Sequence, residues 1–208
     1  MKPTLVLALA LAAAVAPAMA QTPPADEVPR PSFDTDALPA GVYVLDSKEA
    51  LVRYTTLHMG LTEFWGTFPG ATGTLTIDPK AVGSAKVDIQ VPIMGVETTN
   101  KELNAEFISS EFFDFGKFRR AHFVSTQVVR TGPRTARMTG DLTLHGITRP
   151  IVLNVTFNGA GPNSFSKVLT LGFKAEGVVK RSDFGLGKYV PIVSDETQIT
   201  IGAAFEKK

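Results

Sequence analysis

The residues best suited to metal or proton chemistry are three histidines, His58, His122 and His145, and their spacing supports neither role. An imidazole can hold zinc or move a proton near neutral pH, but only with partners around it. No H-x-x-x-H or H-E-x-x-H pair occurs, so a zinc site would have to assemble from the fold alone. The chain has no cysteine, which removes thiol nucleophiles and thiolate ligands. It also lacks a G-x-S-x-G turn and a glycine-rich phosphate loop ahead of a helix. No catalytic residue, metal or cofactor is therefore assigned, and the chain is not expected to be an enzyme.

The aromatic residues point to binding instead. Of 14 phenylalanines, six fall between positions 107 and 123: Phe107, Phe112, Phe113, Phe115, Phe118 and Phe123. Phe64, Trp65 and Phe68 form a second group around Gly66. Large rings either fill a core or line a cavity for an apolar ligand, and composition does not choose between these.

The elements that must position these residues are strands. Ala85, Val87, Ile89, Val91 and Ile93 alternate with Lys86, Asp88 and Gln90. The same period of two runs through Met138–Leu144, Ile151–Phe157, Leu169–Ala175 and Ile199–Phe205. Successive side chains of a strand point to opposite faces, so each run has one buried and one wet face. His145-Gly146 between two runs predicts a two-residue hairpin. Further strands are predicted at 42–45, 50–58, 61–68, 71–77 and 121–130. One stretch, 99–114, lacks alternation. Thr99 or Asn100 can cap a helix there, and Leu103, Phe107 and Ile108 have helical spacing.

Residues 1–20 read as a signal peptide: Lys2, an apolar run from Leu5 to Ala16, then Ala18-Met19-Ala20 before a cut after Ala20. Its removal leaves 20 basic against 20 acidic residues, a balance that argues against nucleic acid as a partner. Residues 21–40 carry Pro23, Pro24, Pro29, Pro31 and Pro39 and read as a disordered leader. The domain proper is expected over 41–208. Many strands and one short helical insertion predict an antiparallel all-β barrel or sandwich. A membrane barrel is the weaker reading, because the chain has three Tyr and one Trp for its girdles and ends in Glu206-Lys207-Lys208.

Four ordered motifs carry a family likeness. Gly140 to Pro150 (GDLTLHGITRP) resembles the G-x-L-T-[LI]-x-G-x-T-[KR]-P hairpin of the YceI-like family, and Arg181 to Gly185 resembles its R-S-D-F-G segment. His58-Met59-Gly60 fits its H-x-G, and Ser109 to Asp114 (SSEFFD) fits its S-x-[DE]-F-F-D. The likeness spans roughly 41–206. The chain departs from it in the helical stretch, where the family's R-D-x-H-L run reads Leu103-Asn104-Ala105-Glu106-Phe107, and at Phe118-Arg119, where the family has Tyr-Pro. Those contacts do not carry over.

The resemblance implies a lipocalin-like antiparallel β-barrel of about eight strands, periplasmic or secreted. It also implies a hydrophobic interior holding a polyisoprenoid or similar long-chain lipid, such as a polyprenol or isoprenoid quinone. Transient membrane contact and a homodimer belong to the same expectation. The expected cavity lining is Gly66, Phe68, Gly73, Leu75, Leu142, Leu144, Leu171 and Phe173, together with Phe107, Phe112, Phe113 and Phe184. For a lipid head group Arg181 is the first candidate, because a guanidinium offers five donors; His58 and Asp183 follow. A competing reading has Arg181 and Asp183 tie a barrel end together. The alternative for the whole chain is a secreted stress or interaction protein whose barrel is filled by its own side chains.

Overall fold

The computed structural model describes residues 30–208. The expected signal peptide and the first nine residues of the expected leader lie outside the described residues. Ten strands form: β1 (Gly41–Leu45), β2 (Leu51–His58), β3 (Thr62–Pro69), β4 (Thr72–Ile77), β5 (Lys86–Pro92), β6 (Arg120–Arg130), β7 (Thr135–Leu144), β8 (Ile147–Pro162), β9 (Leu169–Lys180) and β10 (Glu196–Lys207). One helix, α1 (Lys101–Ile108), separates β5 from β6.

All pairings are antiparallel, in the order β1-β4-β5-β6-β7-β8-β9-β10, and β10 closes the ring on β1. The remaining hairpin, β2–β3, does not widen the ring. β1 and β2 pair with the same edge of β10, Leu45 with Phe205 and Leu51 with Gly202, so they are one broken stave. The break is a turn in which Asp46 Oδ1 accepts from Lys48 N at 2.9 Å. β3 and β4 pair with β2 and β1 respectively and form a second broken stave, interrupted at Gly70 with φ 76°. Ten segments thus make an eight-stave barrel, the size whose interior can hold one ligand.

Alternation sorts the faces as expected. Lys86, Asp88, Asp141, Asn154, Lys174, Glu176 and Gln198 are exposed, while the apolar sets between them turn inward. A membrane barrel shows the reverse arrangement, with its apolar band outward. His145 and Gly146 take φ of 50° and 75° between the paired Leu144 and Ile147, the left-handed pair that a two-residue hairpin needs. Helix α1 is shorter than the 99–114 stretch that lacks alternation. Asn100 caps it by accepting from Leu103 N at 3.0 Å, and Ser109 in extended geometry ends it.

The leader reading needs correction over 30–40. There the chain is a strap on the barrel, not a free arm. β8 outruns β7, whose pairing ends at Thr135–Thr156, and an unpaired strand edge must be covered or satisfied. Ser32 does so, donating to Ala160 O at 2.7 Å and accepting from Ala160 N at 2.8 Å. Pro31 sits over Gly159, where a Cβ would come within 2.9 Å of it. Proline is tolerated because its neighbour supplies both backbone groups.

Two apolar clusters occupy the barrel. The lower one centres on Tyr43 and Leu171, both fully buried, with Phe157 and Phe205. The upper one gathers Tyr54, Phe107, Phe112, Phe113, Phe184 and Leu186 beneath α1.

Candidate functional site

Between the two clusters lies a cavity of about 660 Å³, within the usual range for a small-molecule site. Its wall is built by the inward positions of the staves. β5 contributes Val87, Ile89 and Val91, β7 contributes Met138, Leu142 and Leu144, and β10 contributes Ile199, Ile201 and Ala203. The barrel is therefore not filled, contrary to the alternative read from sequence. The reason is side-chain size: Ala85, Ala121, Ala136, Ala175 and Ala203 face a space that larger residues would close.

One end of the cavity reaches the surface beside His58, Tyr189 and Ile192. This mouth is framed by α1 and by the loop from Arg181 to Asp195. The loop is organised by Arg181, whose Nε donates to Ser194 O at 3.0 Å. Its Nη1 donates to Leu186 O at 2.7 Å and Lys188 O at 3.1 Å, and its Nη2 to Val193 O at 3.1 Å. Four of five donors are spent on the protein's own backbone. Burial pulls the guanidinium below its ordinary value, and nearby Asp195 partly opposes this. Asp195 in turn accepts from Ser182 Oγ at 2.6 Å and Ser182 N at 2.8 Å, which lower its carboxyl.

The lid and the loop are latched together. Lys188 Nζ lies 2.8 Å from both Glu106 Oε1 on α1 and Glu111 Oε2, and Tyr189 Oη donates to Glu106 Oε1 at 2.6 Å. These bonds hold the Glu106 carboxyl below its ordinary range. A second joint uses the hairpin: His145 Nδ1 meets Phe184 O at 3.1 Å, and its ring packs edge-on against Phe118 at 4.9 Å.

The expected site residues divide cleanly. Phe68, Leu75, Phe107, Phe112, Phe113, Leu142, Leu144 and Phe173 reach the cavity wall, as do His58 and Arg181. Gly73 does not: it is a close-approach position where a Cβ would collide with the Asp88 carbonyl. Gly66 likewise makes room for Tyr54 Oη, which would lie 2.6 Å from a Cβ there. Leu171 has the inward face but sits below the cavity, fully buried in the floor. Phe184 is packed into the upper cluster at 1% exposure. Asp183 is exposed and is not the acid beside Arg181; Asp195 takes that place. His122 is spent on the outer face, 2.8 Å from Asp88. No cluster of three metal-ligating side chains forms among the described residues.

Sequence reasoning missed three wall hydroxyls, Tyr54, Thr56 and Thr197, all at least nine-tenths buried. Alternation through Val52, Tyr54, Thr56 and His58 carried the signal for the first two. Thr56 Oγ1 donates to Phe64 O at 3.3 Å. Tyr54 Oη and Thr197 Oγ1 have no hydrogen-bond partner among the described residues, and burial raises the Tyr54 hydroxyl well above the ordinary phenol value.

Comparison with known proteins agrees with this geometry. The family model described as YceI-like domain matches residues 43–205. A UPF0312 protein of Pseudomonas savastanoi pv. phaseolicola is 36% identical over 149 residues, 71% of this chain and 77% of that protein. Among solved structures, BcnA of Burkholderia cenocepacia aligns with a TM-score of 0.69 at 23% identity, over 77% of this chain and 98% of its own. A polyisoprenoid binding domain from Saccharophagus degradans, implicated in plant cell wall breakdown, aligns with a TM-score of 0.61 at 13% identity, over 82% of this chain and 100% of its own. At these identities both structures speak to fold.

Proposed function

This chain belongs to the YceI-like domain family, and on that premise we propose that it is a binding and carrier protein for a long-chain isoprenoid lipid. The observation that carries the reading is the 660 Å³ apolar cavity inside a closed barrel. An isoprenoid tail entering it leaves water for an apolar wall, worth about 25 cal/mol per Å² before association costs. The polyisoprenoid-binding description of the Saccharophagus degradans domain supports the same ligand class.

Export through residues 1–20 would place the carrier in the periplasm or outside the cell. The mouth has a rim suited to a lipid surface: Met59, Leu61 and Ile192 are 58%, 76% and 57% exposed. Met59 N donates to Ile192 O at 2.6 Å, so the two loops form one apolar edge. We read this rim as the point of transient membrane contact through which a lipid enters and leaves.

Mass spectrometry of the protein purified from its host, intact under gentle conditions and then after solvent extraction, tests the reading. A stoichiometric isoprenoid adduct is expected. Phe173→Asp or Leu144→Asp, which set a charge against the lipid tail, should strip the adduct from a folded barrel. A clean apo mass with no uptake on incubation overturns the carrier reading.

A further inference from the structure

The exposed apolar side chains of the mouth gather on one side of it. Leu57, Met59, Leu61 and Trp65 belong to the β2–β3 hairpin, and Val190 and Ile192 to the loop beside it. Helix α1, which also frames the mouth, exposes no large apolar side chain. Loop and hairpin are joined by backbone: Leu57 O accepts from Ser194 N at 2.9 Å, and Met59 N donates to Ile192 O at 2.6 Å. His58 and Phe64 turn into the cavity, so their neighbours Leu57 and Trp65 stand on the outer face. A contiguous patch of this kind, unlike scattered surface residues, marks contact with a membrane or another protein.

We propose that this face docks the barrel, leaning on its β2–β3 side, onto a zwitterionic bilayer. The turn Met59-Gly60-Leu61 enters the acyl boundary and Trp65 stays among the head groups. The inference rests on the carrier reading and names the lipid class of the membrane, the side presented to it and the depth.

Charge selects the lipid class. Segments 57–65 and 189–193 contain His58 and Glu63 but no lysine or arginine. The cations of the adjoining loop are spent, Lys188 on Glu106 and Glu111, and Arg181 on backbone carbonyls. Anionic lipids are recognised by free basic side chains, which this face lacks. Apolar insertion is then the attraction, and salt does not screen it.

The edge of β3 sets the depth. Thr67 N donates to Glu97 O at 2.8 Å, and Thr67 O accepts from Glu97 N at 2.9 Å. Both groups point away from β2, and strand alternation turns those of Trp65 and Glu63 the same way. Beyond Thr67, toward the mouth, that side of β3 has no strand partner among the described residues. Unpaired backbone groups stay out of hydrocarbon, so insertion stops short of Glu63, about 7 Å of strand from Leu61. Amphipathic elements sink to about that depth at a bilayer surface, which leaves Trp65 at the level where tryptophan is favoured.

Trp65 is the one tryptophan in the sequence and is 50% exposed, so its emission reports docking without a label. The purified protein is titrated with phosphatidylcholine–phosphatidylethanolamine vesicles, alone or with phosphatidylglycerol added. A blue shift is expected on both, insensitive to salt, with stronger quenching by lipids brominated near the head group than near the chain end. Leu61→Asp should weaken partitioning about 10-fold or more. Phe165→Asp, at a residue 92% exposed in the β8–β9 turn at the other end of the barrel, should leave it unchanged. Equal loss in the two variants, or emission that ignores all vesicles, overturns the docking face. A shift that needs phosphatidylglycerol and vanishes in salt overturns the zwitterionic class. A shift that follows protein concentration without vesicles assigns the face to a second copy of the chain instead. Mass spectrometry of the same preparation separates the two readings. An isoprenoid adduct on a protein that ignores vesicles leaves the carrier reading standing without this face, and a docking protein that carries and takes up no isoprenoid does the reverse.

Discussion

The two ends of the barrel are closed by different physics. At the floor, Tyr43 and Leu171 have no exposure and pack with Phe157 and Phe205, and Tyr43 Oη donates to Pro39 O at 2.6 Å. The floor is apolar contact over a continuous ring of strands. At the mouth, the helix and the loop rest on the upper apolar cluster of Phe107, Phe112, Phe113 and Phe184 and are joined in addition by polar side chains that solvent can reach, Lys188, Glu106 and Tyr189. Apolar packing is lost all at once, whereas a few exposed ion pairs give way at small cost. If the ion pairs at the mouth mark the part that opens and the floor belongs to the folding unit, changes at the two ends should separate stability from ligand exchange.

The largest effect is expected at the floor. Leu171→Ala leaves a cavity in a site with no exposure and should cost about 2–5 kcal/mol of stability, measured by urea unfolding. Lipid bound per folded molecule should change little. A variant of unchanged stability that lost its lipid would break the comparison.

Arg181 comes next, at the boundary of the two regions. Arg181→Ala removes the donor from four backbone carbonyls and should cost about 1–3 kcal/mol, concentrated between 182 and 195. Hydrogen exchange should show that loop unprotected while the β5–β8 staves keep their protection. Arg181→Lys should not restore it, because an ammonium lacks the planar fork that spans carbonyls of four residues. Loss confined to lipid affinity, with the loop intact, would return Arg181 to the role of head-group ligand.

These cases show which features were legible in the sequence. Period two placed Ala85 through Ile93 and Ile199 through Phe205 on the cavity side because a strand's faces are set locally. The same rule gave Leu171 the correct face but not its height along the barrel axis, which depends on the stagger of eight staves. Residues 30–40 read as leader because prolines and acids describe a chain's local preference. Their docking depends on an edge of β8 left open more than a hundred residues later. Arg181 was recognised as a residue rich in donors. The carbonyls of Leu186, Lys188, Val193 and Ser194 converge on it only in an irregular loop that no periodicity describes. Tyr54 and Thr197 are 143 positions apart, so the pairing of their strands β2 and β10 is a property of ring closure.

The smallest effect should come from the latch, and it sharpens the comparison most because it touches nothing in the floor. Hydrogen bonds from Lys188 and Tyr189 lower the Glu106 carboxyl below its unfolded value. A lowered carboxylate contributes its stabilisation fully above the ordinary range near pH 4 and loses it as pH falls through the folded value. Lipid release should thus quicken only on acidification below about pH 4, and high salt should quicken it modestly at neutral pH by screening the partly exposed pair. Glu106→Gln should release lipid roughly two- to fivefold faster at neutral pH and flatten the acid response, with urea stability nearly unchanged. Stopped-flow transfer of lipid to acceptor vesicles reads the rate directly. If Glu106→Gln released lipid at the wild-type rate while unfolding earlier in urea, α1 would belong to the folding unit, and the two ends of the barrel would differ in chemistry without differing in motion.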